Sequence, residues 1–489
     1  MNPLWFGLFL YLVVMLGVGI AAARHMKSLD DFVLGGRRLG PWVAAISERA
    51  SGESSWFLLG LPGAAYGLGF TEFWSVVGIG FGILASWTFI AIPLRRESAR
   101  LGAITLPDYF ELRFNDRTRL LRIVSMVAIL IFYTFYVAAQ LHGAGKILQG
   151  TFGFEHSTGI WIGAAVVVLY TLLGGFLAVA WTDLIQGLMM TAVAVVLPIL
   201  GIIHIGGFGV LTQKLAEQGP GFLEMSGGKV GAAVVFGVAV GGLSWGMGYL
   251  GQPHLLTRYM AIRKTSELPK GQLIAMGWTL ISYWGAPLIG MVGLAIFGPG
   301  LADPEAVMPM VAKALLPAWL AGMMIAGATA AMMSTADSQL IVATSTLVED
   351  IYVRLFRPNT TPSRLVMLSR LATMLVAGVA LTFALTAEES GGGIIYNTVS
   401  YAWSGLGSSF GPALLLALWW KRTTYAGVLA GMIGGITSTI LWKNFLGGIV
   451  IEEGLTLNGL IDIKFATFVF SLALVLVVSL VTRPPEAAR

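Results

Sequence analysis

Cysteine is missing from all 489 residues, and histidine occurs only five times. The first absence excludes disulfides and thiolate metal sites and leaves the redox compartment unreadable. The second leaves no histidine-rich metal cluster to look for. Charge is scarce as well: Asp, Glu, Lys and Arg make up 11% of the chain, where a water-soluble protein carries about 25%. With no paired acids in a soluble segment and no phosphate-binding loop, nothing points to an enzyme. The net charge of +5 is not a nucleic-acid signal, because the basic residues fall in short loops between apolar runs.

What remains is apolar, with 56% hydrophobic residues and a mean hydropathy of +0.80. Thirteen runs have roughly the 20-residue length that crosses about 30 Å of hydrocarbon. They fall near 4–22, 42–66, 72–94, 121–145, 158–180, 184–206, 230–256, 271–298, 315–347, 365–386, 395–419, 424–446 and 463–482. The expected fold is therefore an all-α polytopic membrane protein with 13 transmembrane helices. The first run has no basic leader and no small-residue cleavage site after it, so it is not read as a signal peptide.

Lys and Arg collect in loops after odd-numbered spans. Arg24, Lys27, Arg37 and Arg38 follow the first; Arg95, Arg96, Arg100, Arg113, Arg117, Arg119 and Arg122 follow the third. Arg258, Arg263, Lys264 and Lys270 follow the seventh; Arg354, Arg357, Arg364 and Arg370 the ninth; Lys421, Arg422, Arg483 and Arg489 the eleventh and thirteenth. The positive-inside rule then expects the N-terminus outside and the C-terminus in the cytoplasm. Only six residues follow Arg483, so a sensor with an attached kinase is disfavoured, and no obligate protein partner is inferred.

Two spans are interrupted at their centres, one over residues 45–56 and the other over 241–253. Lipid-facing backbone cannot stay unpaired, so a break at that depth has to line a protein-buried cavity. Two breaks at matching positions point to a secondary transporter's binding site. With the first span peripheral, residues 42–206 and 230–419 form two sets of five helices. An odd repeat length inserts the second set upside down, and 424–482 adds two helices. A channel built from symmetric subunits has no need of this arrangement. The stretch from Pro107 to Arg122 reads as an amphipathic interfacial loop.

Ionisable residues inside spans are functional candidates because burying them is costly: Glu48, Arg49, Glu53, Asp183 and Asp337. Glu72, Lys146, Lys443 and Lys464 lie near span ends and are expected to snorkel. Ser334, Asp337 and Ser338 share a face at i, i+3 and i+4 with Thr335 beside them. Oxygen ligands of this kind suit a hard cation such as sodium; the bland alternative is hydroxyls that back-bond to their own helix. Trp245 and Tyr249, with Tyr136 in the fourth span, offer the apolar wall and polar groups that a small solute needs. His142 reads as a packing residue.

Several stretches are similar to the sodium:solute symporter family, and within it to the proline-transporting branch. They include Asp31-Phe32-Val33-Leu34-Gly35-Gly36-Arg37, Gly60-Leu61-Pro62-Gly63-Ala64, Thr105-Leu106-Pro107-Asp108-Tyr109-Phe110 and Gly174-Gly175-Phe176-Leu177-Ala178-Val179. Others are Trp181-Thr182-Asp183, 246–254, Met333-Ser334-Thr335 and Ser400-Tyr401-Ala402-Trp403. The resemblance implies a LeuT-like five-plus-five inverted repeat with one extra N-terminal and two extra C-terminal helices, in a bacterial inner (plasma) membrane. It implies import of a small amino acid, L-proline above others, coupled to sodium. The alternative is a sodium- or proton-coupled symporter of another small carboxylate-bearing solute. The implied sodium ligands are the carbonyls of Ala50, Glu53 and Ala331 and the hydroxyls of Ser334 and Thr335. A second sodium site would use Asp183, Asp337 and Ser338 and share Ser334. The implied substrate contacts are Ser54, Ser55, Tyr136, Trp245 and Tyr249. In the proline branch an aspartate stands where this chain has Gly52, and an apolar residue where it has Glu53. Glu53 either supplies the displaced carboxylate, which the nearby unwinding favours, or pairs with Arg49 at i, i+4.

Overall fold

The structure, a computed structural model, describes residues 3–23, 34–219, 221–357, 360–387, 393–452 and 455–483. Arg24, Lys27, residues 31–33 of the first motif, and Arg489 lie outside the described residues.

Helix occurs at every expected span. In chain order the principal elements are α1 (Pro3–Ala23), α2 (Pro41–Gly52), α3 (Leu61–Leu68), α4 (Phe73–Ala85), α5 (Ile92–Leu101), α6 (Leu106–Arg113) and α7 (Leu120–Phe152). Then come α8 (His156–His204), α9 (Ala232–Leu243), α10 (Trp245–Gly248), α11 (Pro253–Ala261), α12 (Leu268–Ser282) and α13 (Gly285–Phe297). The last are α14 (Ala318–Ser345), α15 (Pro362–Thr386), α16 (Ile394–Trp419), α17 (Tyr425–Leu441) and α18 (Ile463–Val481). Among the described residues eight helices are long and apolar enough to cross a membrane, and three shorter apolar ones accompany them. A two-stranded hairpin, Val450–Glu452 with Leu455–Thr456, precedes α18. α8 carries two spans. Gly175 divides them at φ 54°, ψ −176°, a conformation that a side chain would strain.

Both interruptions exist, and the first is narrower than the expected 45–56. α2 stays helical through Gly52; Glu53 leaves it at φ −104°, ψ 55°, and a wide turn from Trp56 to Gly60 leads into α3. The second parts α10 from α11, where Gln252 is extended at φ −86°, ψ 105°. Pro253 then opens α11, a place where its missing N–H costs nothing.

α14 runs through the middle, packed on α1, α2, α7 and α8, while α11 packs on α2 and α10 on α4. α16, α17 and α18 form a bundle beside them. The stretch 107–122 differs from the interfacial loop expected. Pro107, Asp108, Tyr109 and Phe110 are buried, because Arg122 draws the segment inward. Its guanidinium bonds Asp108 at 2.6 Å and also pairs with Glu111 and with Asp350.

Candidate functional site

In an unbroken helix the Ala50 carbonyl would accept the N–H of residue 54. The turn at Glu53 leaves it only a long bond from the Glu53 N–H, 3.4 Å. α14 fills the gap. Ser334 Oγ lies 2.9 Å from the Ala50 oxygen and 3.0 Å from the Ala331 oxygen. These three neutral oxygens from two helices meet at one point, as a hard cation requires. Thr335 Oγ1 is directed one residue aside and donates to the Ser51 carbonyl at 2.9 Å.

The Glu53 carboxylate turns away from that point. It accepts from Arg49 Nη1 at 3.2 Å, from Tyr249 at 3.4 Å and from Tyr283. Arg49 also pairs with Glu48, which accepts from Trp87 at 3.1 Å and Tyr259 at 3.2 Å. All three charged side chains are fully buried. Pairing and a full hydrogen-bond complement are what make buried charge tolerable.

A second polar cluster gathers around Ser47 and Ser51 of α2. Asp183 Oδ2 accepts from Ser47 at 2.6 Å, Ser51 at 2.9 Å and Arg258 at 3.1 Å. Arg258 also donates to Ser338 at 2.5 Å and to the His254 carbonyl at 2.6 Å. Arg258 was expected in a basic loop; instead it is buried at 1% exposure. Its place on α11, one turn after His254, carries it inward. Asp337 takes a 2.5 Å bond from Thr171. Three buried oxygens here have no protein partner: Asp183 Oδ1, Asp337 Oδ2 and Gln186 Oε1. Orphaned acceptors of this kind, next to two carboxylates, suit a cation.

On the other side of the α2 break, aromatic rings close a wall. Trp245 lies 4.5 Å from Trp56 and 5.5 Å from Tyr396, Tyr249 is edge-on to Trp403 at 4.7 Å, and Tyr136 is 6.3 Å from Trp403. Trp403 donates to the Trp245 carbonyl at 2.9 Å. A Cβ on Gly248 would run into the Trp403 indole, so the broken helix can approach only as glycine. Ser55 N–H bonds Gln140 Oε1 at 2.8 Å, and Ser54 Oγ caps the Trp56 N–H at 3.2 Å. Ser55 Oγ, Trp56 Nε1, Trp245 Nε1 and Gln252 Oε1 are buried without protein partners. Sequence reasoning did not single out Trp56, Gln140, Gln252, Tyr283 or Trp403 as lining residues. Trp403 stood inside a recognised motif, whereas Gln140 carried no signal.

Three of the four span-end charges expected to snorkel are buried. Lys146 binds Asp303 at 2.6 Å and Glu305 at 2.9 Å, Lys464 binds Asp462 at 2.9 Å, and Glu72 is 6% exposed. Lys443 is exposed as expected. His142 packs against His156, with 3.3 Å between ring nitrogens.

A membrane-embedded helical core, two broken helices, an oxygen cage and an aromatic wall define a secondary transporter. The sodium:solute symporter family model matches residues 32–435. The high-affinity proline transporter PutP of Bacillus subtilis is 40% identical over 97% of both chains. The sodium/proline symporter of Escherichia coli is 37% identical, covering 98% of this chain and 93% of that one. Among solved structures, a Na+-coupled sialic acid symporter in a substrate-bound outward-open state superposes with a TM-score of 0.80 over 99% of both chains at 20% identity. The chain belongs to the sodium:solute symporter family. It is a multi-pass membrane transporter with sodium as coupling ion and not an enzyme, and it shares the LeuT-like fold of the sialic acid symporter.

Proposed function

We propose that this protein imports L-proline together with sodium by alternating access. The observation that carries the reading is that one break serves both cargoes. The carbonyl freed at Ala50 meets Ser334 and Ala331, while Ser55, five residues on, leaves an unpaired hydroxyl beside the Trp56–Trp245 pair. Sodium held by Ala50, Ala331 and Ser334, with the Glu53 carbonyl and Thr335 completing the shell, orders the unwound segment. The solute then binds Ser54, Ser55, Tyr136, Trp245 and Tyr249 tightly only when the ion is present. The relatives named for proline transport support the choice of solute. The orphaned oxygens of Asp183 and Asp337, beside Ser338, support a second sodium position. The engagement of Glu53 with Arg49 argues against Glu53 as a proton carrier.

In this reading all thirteen helices cross the plasma membrane, with the N-terminus outside and the C-terminus in the cytoplasm. Residues 42–206 and 230–419 are the two inverted repeats, and the lipid bilayer is the only other partner required. One charge crossing supplies about 2.3 kcal/mol per 100 mV, roughly fifty-fold accumulation. Labelled proline uptake into proteoliposomes tests the reading. Uptake should follow an inward sodium gradient, and uptake driven equally well by a proton gradient alone would reject sodium coupling.

A further inference from the structure

The break after α2 parts a second backbone bond besides the one at Ala50. In regular helix the Ser51 carbonyl would accept the Ser55 N–H, but that N–H goes to Gln140 Oε1 at 2.8 Å. The freed Ser51 carbonyl takes two side-chain donors instead. Thr335 Oγ1 of α14 lies 2.9 Å from it, and His254 Nε2 of α11 lies 3.2 Å from it. Both halves of the opened bond are therefore held, as a buried break requires.

The surroundings of His254 fix its tautomer. Its backbone N–H donates to the Tyr133 hydroxyl oxygen at 2.9 Å, so that hydroxyl can donate in turn to Nδ1, 3.0 Å away. Nδ1 is then an acceptor and the ring hydrogen sits on Nε2, where it meets a carbonyl that can only accept. Ser51, Tyr133, Gln140 and His254 are all fully buried, so bulk water cannot stand in for any of these partners. His254 also touches both proposed sites. Its ring is edge-on to Tyr136 at 6.3 Å, and its partner Ser51 is next in the chain to Ala50. Two residues before it, Gln252 Nε2 donates to the Trp403 carbonyl at 3.2 Å, and Trp403 packs on Tyr249.

We propose that His254 is the positioning residue that couples the two cargoes. It ties the Ser51 peptide, and with it the Ala50 carbonyl, to the helix that continues from the solute wall. This inference rests on the sodium–proline reading above. When Thr335 turns to join the sodium shell it gives up Ser51, and the His254 Nε2–H is the donor that remains. An unsatisfied buried carbonyl is costly, so the ion-bound break favours the position of α11 that keeps this bond. That position sets Trp245 and Tyr249 for the solute. Without the bond each site still binds, but neither reports to the other.

Calorimetric titration of L-proline into the purified protein, with and without saturating sodium chloride, tests this on the wild type and two variants. A Gln side chain carries its amide nitrogen out to the place of Nε2, whereas Asn reaches only to that of Nδ1. In the wild type, sodium should raise proline affinity by a factor well above one. His254→Asn should cut that factor about fivefold while leaving sodium-free proline affinity within about twofold of wild type. His254→Gln should keep the factor. An Asn variant with the wild-type factor, or a Gln variant that loses as much as Asn, would overturn the proposal. So would an Asn variant whose sodium-free and sodium-bound affinities fall together, since that marks a plain wall residue. Loss of the monodisperse peak in size-exclusion chromatography for both variants would mark a packing residue and overturn it too. A wild type with a factor of one overturns the sodium–proline coupling itself, and a wild type that binds no proline overturns the substrate assignment.

Discussion

The two breaks solve the same problem with different chemistry. The break after α2 is two residues long, polar and flanked by charge, and it delivers freed carbonyl and hydroxyl oxygens. The break between α10 and α11 is longer, running Tyr249-Leu250-Gly251-Gln252, and with Trp245 of α10 it delivers surface: Trp245 and Tyr249 against Trp56 and Trp403. A sodium ion needs a few oxygens at fixed distance, whereas a small amphipathic solute needs a shaped wall with sparse polar groups. In the proposed reading the first break holds the ion and gives Ser54 and Ser55 to the solute, and the second break adds most of the wall around the solute. Ser54 and Ser55 stand where the two meet.

Changes on either side should therefore separate cleanly. The largest effect belongs to the charges that hold the first break. Arg49→Met leaves Glu48 and Glu53 buried without a cation and should cost about 3–5 kcal/mol, seen as loss of the monodisperse peak in size-exclusion chromatography. Adding Glu53→Gln should recover part of it. Glu53→Gln alone should keep its folded yield, because Glu48 still pairs with Arg49; a collapse in yield would show that Glu53 is the dominant partner.

On the second break, Trp245→Ala should raise half-saturating proline about thirtyfold, roughly 2 kcal/mol for a buried aromatic anchor, and move half-saturating sodium much less. Ser334→Ala should do the reverse, raising half-saturating sodium about tenfold, or 1.4 kcal/mol. Its proline affinity at saturating sodium should stay within a few-fold of wild type. Equal shifts in both constants for either variant would erase the division of labour.

The smallest change expected is a gain. A Cβ at Gly52 would meet Leu255 at 3.5 Å and Tyr249 at 3.6 Å, ordinary contact distances. Gly52→Asp should therefore fold, and sodium titration should show half-saturation lowered about threefold. A raised value would mean that a carboxylate at this position faces the solute rather than the ion.

The sequence carried the helices, both breaks and the residue types at each site, because membrane spans and buried polar groups are costly enough to leave a pattern. It carried less of what depends on three-dimensional packing. The broken second span could be expected to lend carbonyls around Ala50 to the hydroxyls of the ninth, but the individual pairing of Ser334 with Ala50, 284 positions apart, depends on packing. Arg258 was counted among loop charges because its helix starts after the break, and nothing local announces that α11 turns inward. Pro107 to Arg122 looked interfacial because three of Arg122's partnerships, with Asp108, Glu111 and Asp350, form only after folding. Gln140 left no signal, and Gln252, though inside the recognised stretch 246–254, was not marked as a contact, as each acts through one bond to distant backbone, Ser55 N–H at 2.8 Å and the Trp403 carbonyl at 3.2 Å.

Reciprocal linkage between the two cargoes is the most direct test of a shared break. Proline affinity should be titrated against sodium, and sodium affinity against proline, on the purified wild-type protein by calorimetry. If one unwound segment serves both, sodium raises proline affinity by some factor and proline raises sodium affinity by the same factor, within error. Affinities that are independent of each other would contradict the account.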